Sequence, residues 1–229
     1  GFRFGGPNII PSLPGSRVPR SYRSDSLWNY EIGMRADLFD RRLLLDMTAF
    51  YIDWSNIQLR LTSNGLNYAD NAGKARSYGL ETSITLRPAE GLSLTSNVTY
   101  LNAKLSRPFD PNPDVPGIVP AGSTLPGASK WQIANLISYE RRGGAMDWSA
   151  TISHRYISRA PGALVVDQEI SGAPQGGYHL FDLRTGVRND RIGITLFLDN
   201  IGDVRGVTSG IANPLQQYIV RPRTMGISF

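Results

Sequence analysis

The sequence has no cysteine, which excludes disulfides and thiolate metal sites. It has only two histidines, His154 and His179, far apart in the chain and outside any Ser-His-Asp or metal-ligand pattern. Lysine is confined to Lys74, Lys104 and Lys130, so the net charge of +5 rests almost wholly on arginine. Those arginines are scattered through turns, loops and segment ends with no basic helix, which argues against nucleic acid as a partner. No stretch reaches the roughly 18 apolar residues of a transmembrane helix, and no long segment has a capped 3.6-residue period. No signal-peptide pattern opens the sequence, and Gly1-Phe2-Arg3-Phe4-Gly5-Gly6 reads as the interior of something longer. No carboxylate pair stands out by its spacing. No catalytic residue, metal site or cofactor is therefore expected.

What is present is a rhythm. About nine stretches carry apolar residues at every second position, starting near Trp28, Leu43, Ala75, Leu92, Trp131, Trp148, Tyr178, Ile192 and Gln217. Successive side chains of a strand point to opposite faces, so each stretch reads as a two-faced strand. The connections alternate. The short ones are Asp40-Arg41-Arg42, Pro88-Ala89-Glu90-Gly91, Arg141-Arg142-Gly143-Gly144 and Asn189-Asp190-Arg191; the long ones run roughly 60–72, 106–129, 159–177 and 202–216. Tight turns on one side and long loops on the other are the signature of a transmembrane β-barrel. Strand lengths suit a tilted crossing of about 9–11 residues. Alternation also accounts for a slightly negative mean hydropathy.

In the first stretch Trp28, Tyr30, Ile32, Met34, Ala36 and Leu38 oppose Asn29, Glu31, Gly33, Arg35 and Asp37. Leu43–Trp54 is apolar in both frames, and Asp46 argues that its even frame faces water. In the fifth stretch Asn135 interrupts Trp131, Ile133, Ile137 and Tyr139; a polar group facing mid-bilayer is costly, so that frame stays open. Aromatics such as Trp28, Tyr51, Tyr100, Trp131, Tyr139 and Trp148 gather near strand ends, as interfacial girdles require. With short turns periplasmic, nine strands bring Phe229 to the periplasmic side.

Four segments resemble the TonB-dependent outer-membrane receptors. Leu27–Gly33 looks like the "n-y-E-x-G" start of a strand, and Phe50–Gln58 is similar to "F-Y-x-D-[YW]-x-x-x-Q". Asn71–Glu81 resembles "N-x-G-x-A-x-x-x-G-x-E", and Leu198–Asp203 resembles "x-x-N-L-x-D". The four fall in the family's order. The resemblance implies an all-β fold, an antiparallel transmembrane β-barrel segment supplying about nine of about 22 strands around a plugged lumen. Residues 1–26 would be an extracellular loop segment and 27–229 the C-terminal part of the barrel, with no plug domain. An open sheet leaves edges that lipid does not tolerate, so a fragment of a longer protein is expected. Relatives usually continue a few residues past the segment like Arg221–Gly226, so the end is expected about four residues short.

The resemblance further implies energised uptake of a scarce nutrient, foremost a ferric siderophore. Implied partners are the TonB–ExbB–ExbD complex through the missing N-terminal region, outer-membrane lipid and lipopolysaccharide, and the barrel-assembly machinery. The location is the outer membrane of a Gram-negative cell. Ligand contacts are expected on long loops, at Asn64, Tyr68, Arg107, Phe109, Asp110, Asp114, Asp167 and Gln168; Arg17, Arg20 and Arg23 could attract anions. Architectural roles are expected for Asn71, Gly73, Gly79, Glu81, Asn200, Asp203 and Phe229, with Glu81 facing the lumen. The histidines read as interfacial or loop-end rings. A passive porin, a small outer-membrane barrel (perhaps a lipid-modifying enzyme) and a soluble β-sandwich or lipocalin-like binding protein are the rival readings.

Overall fold

A computed structural model describes residues 1–9, 18–63, 66–110, 117–162, 164, 174–210 and 217–229. Among them all regular structure is strand. In chain order the strands are β1 (Phe2–Arg3), β2 (Gly6–Pro7), β3 (Ser21–Tyr22), β4 (Asp25–Leu38), β5 (Leu43–Ser55), β6 (Gln58–Ser63), β7 (Leu66–Asn71) and β8 (Lys74–Ala89). They continue with β9 (Leu92–Leu105), β10 (Trp131–Arg141), β11 (Asp147–Ile157), β12 (Tyr178–Arg188), β13 (Gly193–Asp199), β14 (Val207–Gly210), β15 (Gln217–Ile219) and β16 (Thr224–Ser228). Ten form one antiparallel sheet in the order β1-β4-β5-β8-β9-β10-β11-β12-β13-β16, and β2–β3, β6–β7 and β14–β15 are separate two-stranded ladders. The sheet is not closed: β1 and β16 are its edges.

The alternating strands and tight turns match the expectation, with local differences. The ninth expected strand, from Gln217, is broken. Pro222 has no N–H to give a ladder, the Arg221 carbonyl accepts from Asn200 Nδ2 at 2.8 Å, and the Arg223 N–H donates to Asp203 Oδ1 at 2.9 Å. Gln217–Ile219 therefore turns away onto β14, and the sheet resumes only at Thr224. Asn200 secures the knot: it has a left-handed φ of 52°, and its amide also exchanges hydrogen bonds with Val204 at 2.9 and 3.0 Å. The expected loop 60–72 is mostly the β6–β7 hairpin. Pro88 and Ala89, expected in a turn, extend β8 past a register shift. Asn189 Oδ1 accepts from the N–H groups of Arg191 and Ile192, both at 2.9 Å, so the turn takes Ile192 and β13 starts at Gly193.

Register assigns the faces, because directly opposed residues share one. Tyr30 opposes Tyr51, Met34 opposes Met47, and Leu38 opposes Leu43, so the odd positions of β5 join the apolar outer face. Asp46 falls on the inner face, 2.6 Å from Arg35. The inner face also carries Arg184–Asp199 at 3.2 Å, Ser153 donating to Asp182 at 3.0 Å, and the Thr85–Thr95 pair at 3.1 Å. On that face Gly79 opposes Phe50, and a Cβ there would collide with the Tyr100 carbonyl and the Phe50 ring.

Register also settles Asn135. It opposes Ser96 on β9 and His154 on β11, and all three lie on the outer face with Ile133 and Ile137. It sits four residues from both Trp131 and Tyr139, midway between the aromatic rings at the two ends of β10. Ser96 Oγ donates to Asn135 Oδ1 at 2.8 Å, so the amide nitrogen must donate to His154 Nδ1 at 2.9 Å. His154 Nε2–H then donates to His179 Nδ1 at 3.0 Å. The rings of Phe181 and Tyr156 stack on His154 and His179, with centroids 4.6 and 4.4 Å apart. The two histidines, far apart in sequence, are consecutive members of one polar chain across four strands, β9 to β12; His154 stands opposite Asn135, toward the loop end of β11. Each link answers a group that would otherwise face hydrocarbon unpaired.

Two outcomes follow for reversible unfolding in lipid vesicles. Asn135→Leu costs about 1 kcal/mol, because Ser96 and His154 lose their partner, whereas apolar replacement of Ser96, Asn135, His154 and His179 together recovers that loss. Asn200→Ala costs about 2–3 kcal/mol, since three hydrogen bonds and a left-handed backbone lose their support.

Candidate functional site at the loop end of the sheet

The long connections all leave the same end of the sheet, and their described residues pack against one another. Ile57, Ala72, Ala75, Leu105, Val119 and Leu164 form a buried cluster. Trp54, Leu59, Phe109 and Leu125 pack against it. It thus joins the ends of β5, β8 and β9 to three of the long connections. Backbone bonds bind the loops in succession. The Leu105 N–H donates to Ser123 at 2.9 Å, Leu125 to Ala103 at 3.0 Å, Gly127 to Pro161 at 2.9 Å, and Gly176 to Val207 at 2.9 Å.

At the β4 side a polar knot fixes the mouth. The Asp25 carboxylate is 3% exposed and accepts from Arg3, from Trp54 Nε1 at 3.0 Å and from the Gln58 N–H at 3.2 Å. The Arg3 guanidinium lies 5.0 Å from the Trp54 ring centroid, a cation–π distance. Gln58 Nε2 donates to the carbonyls of Phe4 and Arg23 at 3.0 and 2.9 Å. Asn71 clamps the same segment: Nδ2 donates to Arg23 and Asn56 carbonyls at 2.9 and 2.7 Å, and Oδ1 accepts from the Arg23 N–H at 2.7 Å. The segment before β4 is thereby tied to the β6–β7 hairpin. Sequence reading quoted Trp54 and Gln58 as motif letters but missed Arg3 and Asp25.

Among the expected ligand residues, Tyr68 is buried and Phe109 is half-buried, packed on the loop core. Arg107 and Asp110 are exposed beside Phe109 on one loop. Asn64, Asp114, Asp167 and Gln168 lie outside the described residues, as does Arg17. The motif residues fall at structural joints. Gly73 has a φ of 74° with open space around it, so backbone conformation is what selects glycine there. Glu81 is on the inner face, opposite Thr48 and Thr99. Phe229 follows β16 and is exposed.

An apolar recess of about 230 Å³ opens on the inner face beneath residues 125–128, lined by Ile52, Trp54, Ala75, Ala103, Leu125 and Ala128. Sequence reading did not find it, because its walls come from three strands and a loop. Two loop carboxylates are perturbed. The Arg223 N–H, with Arg205 alongside, holds Asp203 below the usual carboxylate range, whereas burial pushes Asp70 up. Among the described residues no group of three His, Cys, Asp or Glu side chains could hold a metal ion. The arrangement can seat an apolar or aromatic part of a small molecule; it has no reacting constellation. Asn71→Ala should expose the chain after Arg23 to trypsin about fivefold faster, the effect of about 1 kcal/mol of lost local stability.

Residues 18–201 match the family described as TonB dependent receptor-like, β-barrel. The chain is 28% identical to the metal-pseudopaline receptor CntO of Pseudomonas aeruginosa, over 67% of this chain and 20% of that protein. It is 25% identical to the pesticin receptor of Yersinia enterocolitica, over 100% of this chain and 32% of that protein. Among solved structures, the ferric yersiniabactin uptake receptor FyuA from Yersinia pestis superposes with a TM-score of 0.73 at 21% identity, covering 99% of this chain and 33% of that one. BauA, the ferric preacinetobactin receptor from Acinetobacter baumannii, gives 0.64 at 16% identity, covering 94% of this chain and 31% of that one. The chain spans a fifth to a third of the length of these relatives. A one-layer antiparallel sheet, apolar on one face and charged on the other, with its long loops gathered at one end, is the shape this match requires: the chain belongs to the β-barrel family of the TonB-dependent receptors.

Proposed function

We propose that this chain forms part of the wall and the extracellular mouth of an outer-membrane transporter that takes up a metal bound to a small organic chelator, driven through TonB. The observation that carries the reading is the packed loop core with an apolar recess beneath it, at the mouth of a wall whose other face is built for lipid. The named relatives are receptors for metal-pseudopaline, ferric yersiniabactin and ferric preacinetobactin, which points to the same chemical class of cargo. In this reading residues 27–229 belong to the barrel and 1–26 lead in from outside, with Asp25 and Ser26 already in β4. Arg107 and Asp110 are the proposed polar contacts at the mouth. The remaining wall, the plug and the contact with TonB, ExbB and ExbD would come from elsewhere in the protein. Assembly machinery would read the strand ending near Phe229.

The test is uptake of a radiolabelled ferric chelate by iron-starved cells carrying the intact receptor. Uptake is expected to stop when TonB is deleted or the proton gradient is collapsed; uptake that persists under both conditions would mark a passive porin instead. Ala103→Trp, which fills the recess, is expected to weaken chelate binding about tenfold, or about 1.4 kcal/mol, with the barrel still assembled. Unchanged binding would move the site off the recess.

A further inference from the structure

The chain's three lysines, spread along the sequence, come together at the loop end of three successive strands. Lys74 and Arg76 lie two residues apart on the outer face of β8, and Lys104 stands directly opposite Arg76 on β9. Lys130 immediately precedes β10, and its ammonium lies 5.6 Å from the ring centroid of the outer-face Tyr100. All four cations are exposed. Asp53 reaches Arg76 at 3.9 Å, and no lysine takes part in any ion pair among the described residues. Like charges placed directly opposite on neighbouring strands repel, so one carboxylate leaves this patch short of negative charge. Just below it on the same face, Leu80, Thr82, Val98, Tyr100 and Trp131 line a groove of about 290 Å³. The Tyr100 and Trp131 rings meet at its rim, 4.8 Å between centroids.

Cations above an apolar groove, at the height where the strands leave the bilayer, match the two halves of one amphiphile. We propose that this surface binds the phosphorylated glycolipid of the outer leaflet, with one headgroup phosphate held by Arg76 and Lys104 beside Lys74, the second drawn to Lys130 beside Tyr100, and an acyl chain lying along Val98 and Leu80. Arg76 offers a planar fork for phosphate, and the lysines add mobile point charges. The outer-leaflet source is favoured over a free anion because the groove continues the patch into the membrane. This assignment rests on the outer-membrane orientation proposed above and adds a defined lipid seat to it.

The experiment is native mass spectrometry of the intact receptor in non-ionic detergent, titrated with bisphosphorylated lipid A. Wild type is expected to retain the lipid. The triple variant Lys74→Gln, Lys104→Gln, Lys130→Gln is expected to lose at least about tenfold in retention, given the attraction each surface cation exerts on anionic lipid. Val98→Trp, which fills the groove, and dephosphorylated lipid A are each expected to give a comparable loss. The lysines are exposed, and unchanged heat-modifiable migration of the variants reports intact folding. Equal retention by the triple variant overturns the site. Equal, lysine-dependent retention of phosphatidylglycerol overturns the glycolipid assignment in favour of any anionic lipid. A separate arm reads the orientation: brominated-acyl lipids should quench tryptophan fluorescence of the reconstituted receptor. Absent quenching sinks the outer-membrane reading itself, whereas quenching without lipid A retention sinks only the lipid seat.

Discussion

A backbone that crosses hydrocarbon must satisfy every N–H and C=O within the protein. The rest of this structure depends on that constraint. It selects a single antiparallel sheet in which each strand pairs with its neighbours in sequence, and it forces one face of every strand to be apolar. Charges and amides are then sorted by register. Arg35 with Asp46 and Arg184 with Asp199 share the inner face, while tyrosines and aliphatic residues line up across the outer one. The exception obeys the same rule: Ser96, Asn135, His154 and His179 face outward only as a connected chain in which each acceptor is matched by a donor.

Beyond the membrane the constraint relaxes, and the chain can use side chains to hold its backbone. Asp25, Asn71 and Asn200 each close a joint where no ladder continues, taking up N–H or C=O groups that a sheet would otherwise satisfy. The described loop residues are therefore not loose tethers. Their apolar cluster and successive backbone bonds hold the loop end of the sheet in one shape, and a preshaped surface loses less ordering entropy on binding.

Most of the wall was legible because alternation is a local signal. Trp28 to Leu38 announces both of its faces without reference to any partner, and Asp46 was enough to orient an ambiguous strand. What remained hidden depended on pairing. The frame of Asn135 is fixed by Ser96 and His154, 39 and 19 positions away. The break after Ile219 is written in Pro222, but its anchoring needs Asn200, whose amide reaches the carbonyl of Arg221, 21 residues on. Arg3 and Asp25 meet only because β1 pairs with β4. At the mouth, the burial of Tyr68 and the packing of Phe109 on the loop core come from contacts that no linear pattern encodes.

The alternation of turn lengths has a kinetic meaning. Strands joined by tight turns, β4 with β5, β8 with β9, β10 with β11 and β12 with β13, can pair at little cost in loop-closure entropy. Pairing between these units must instead close the long connections. The wall is thus divided into four tightly turned ribbons, each with one greasy side. A membrane-insertion machine working on this chain would handle hairpins as its natural increments, and the long loops would set the order and pace at which they are stitched together.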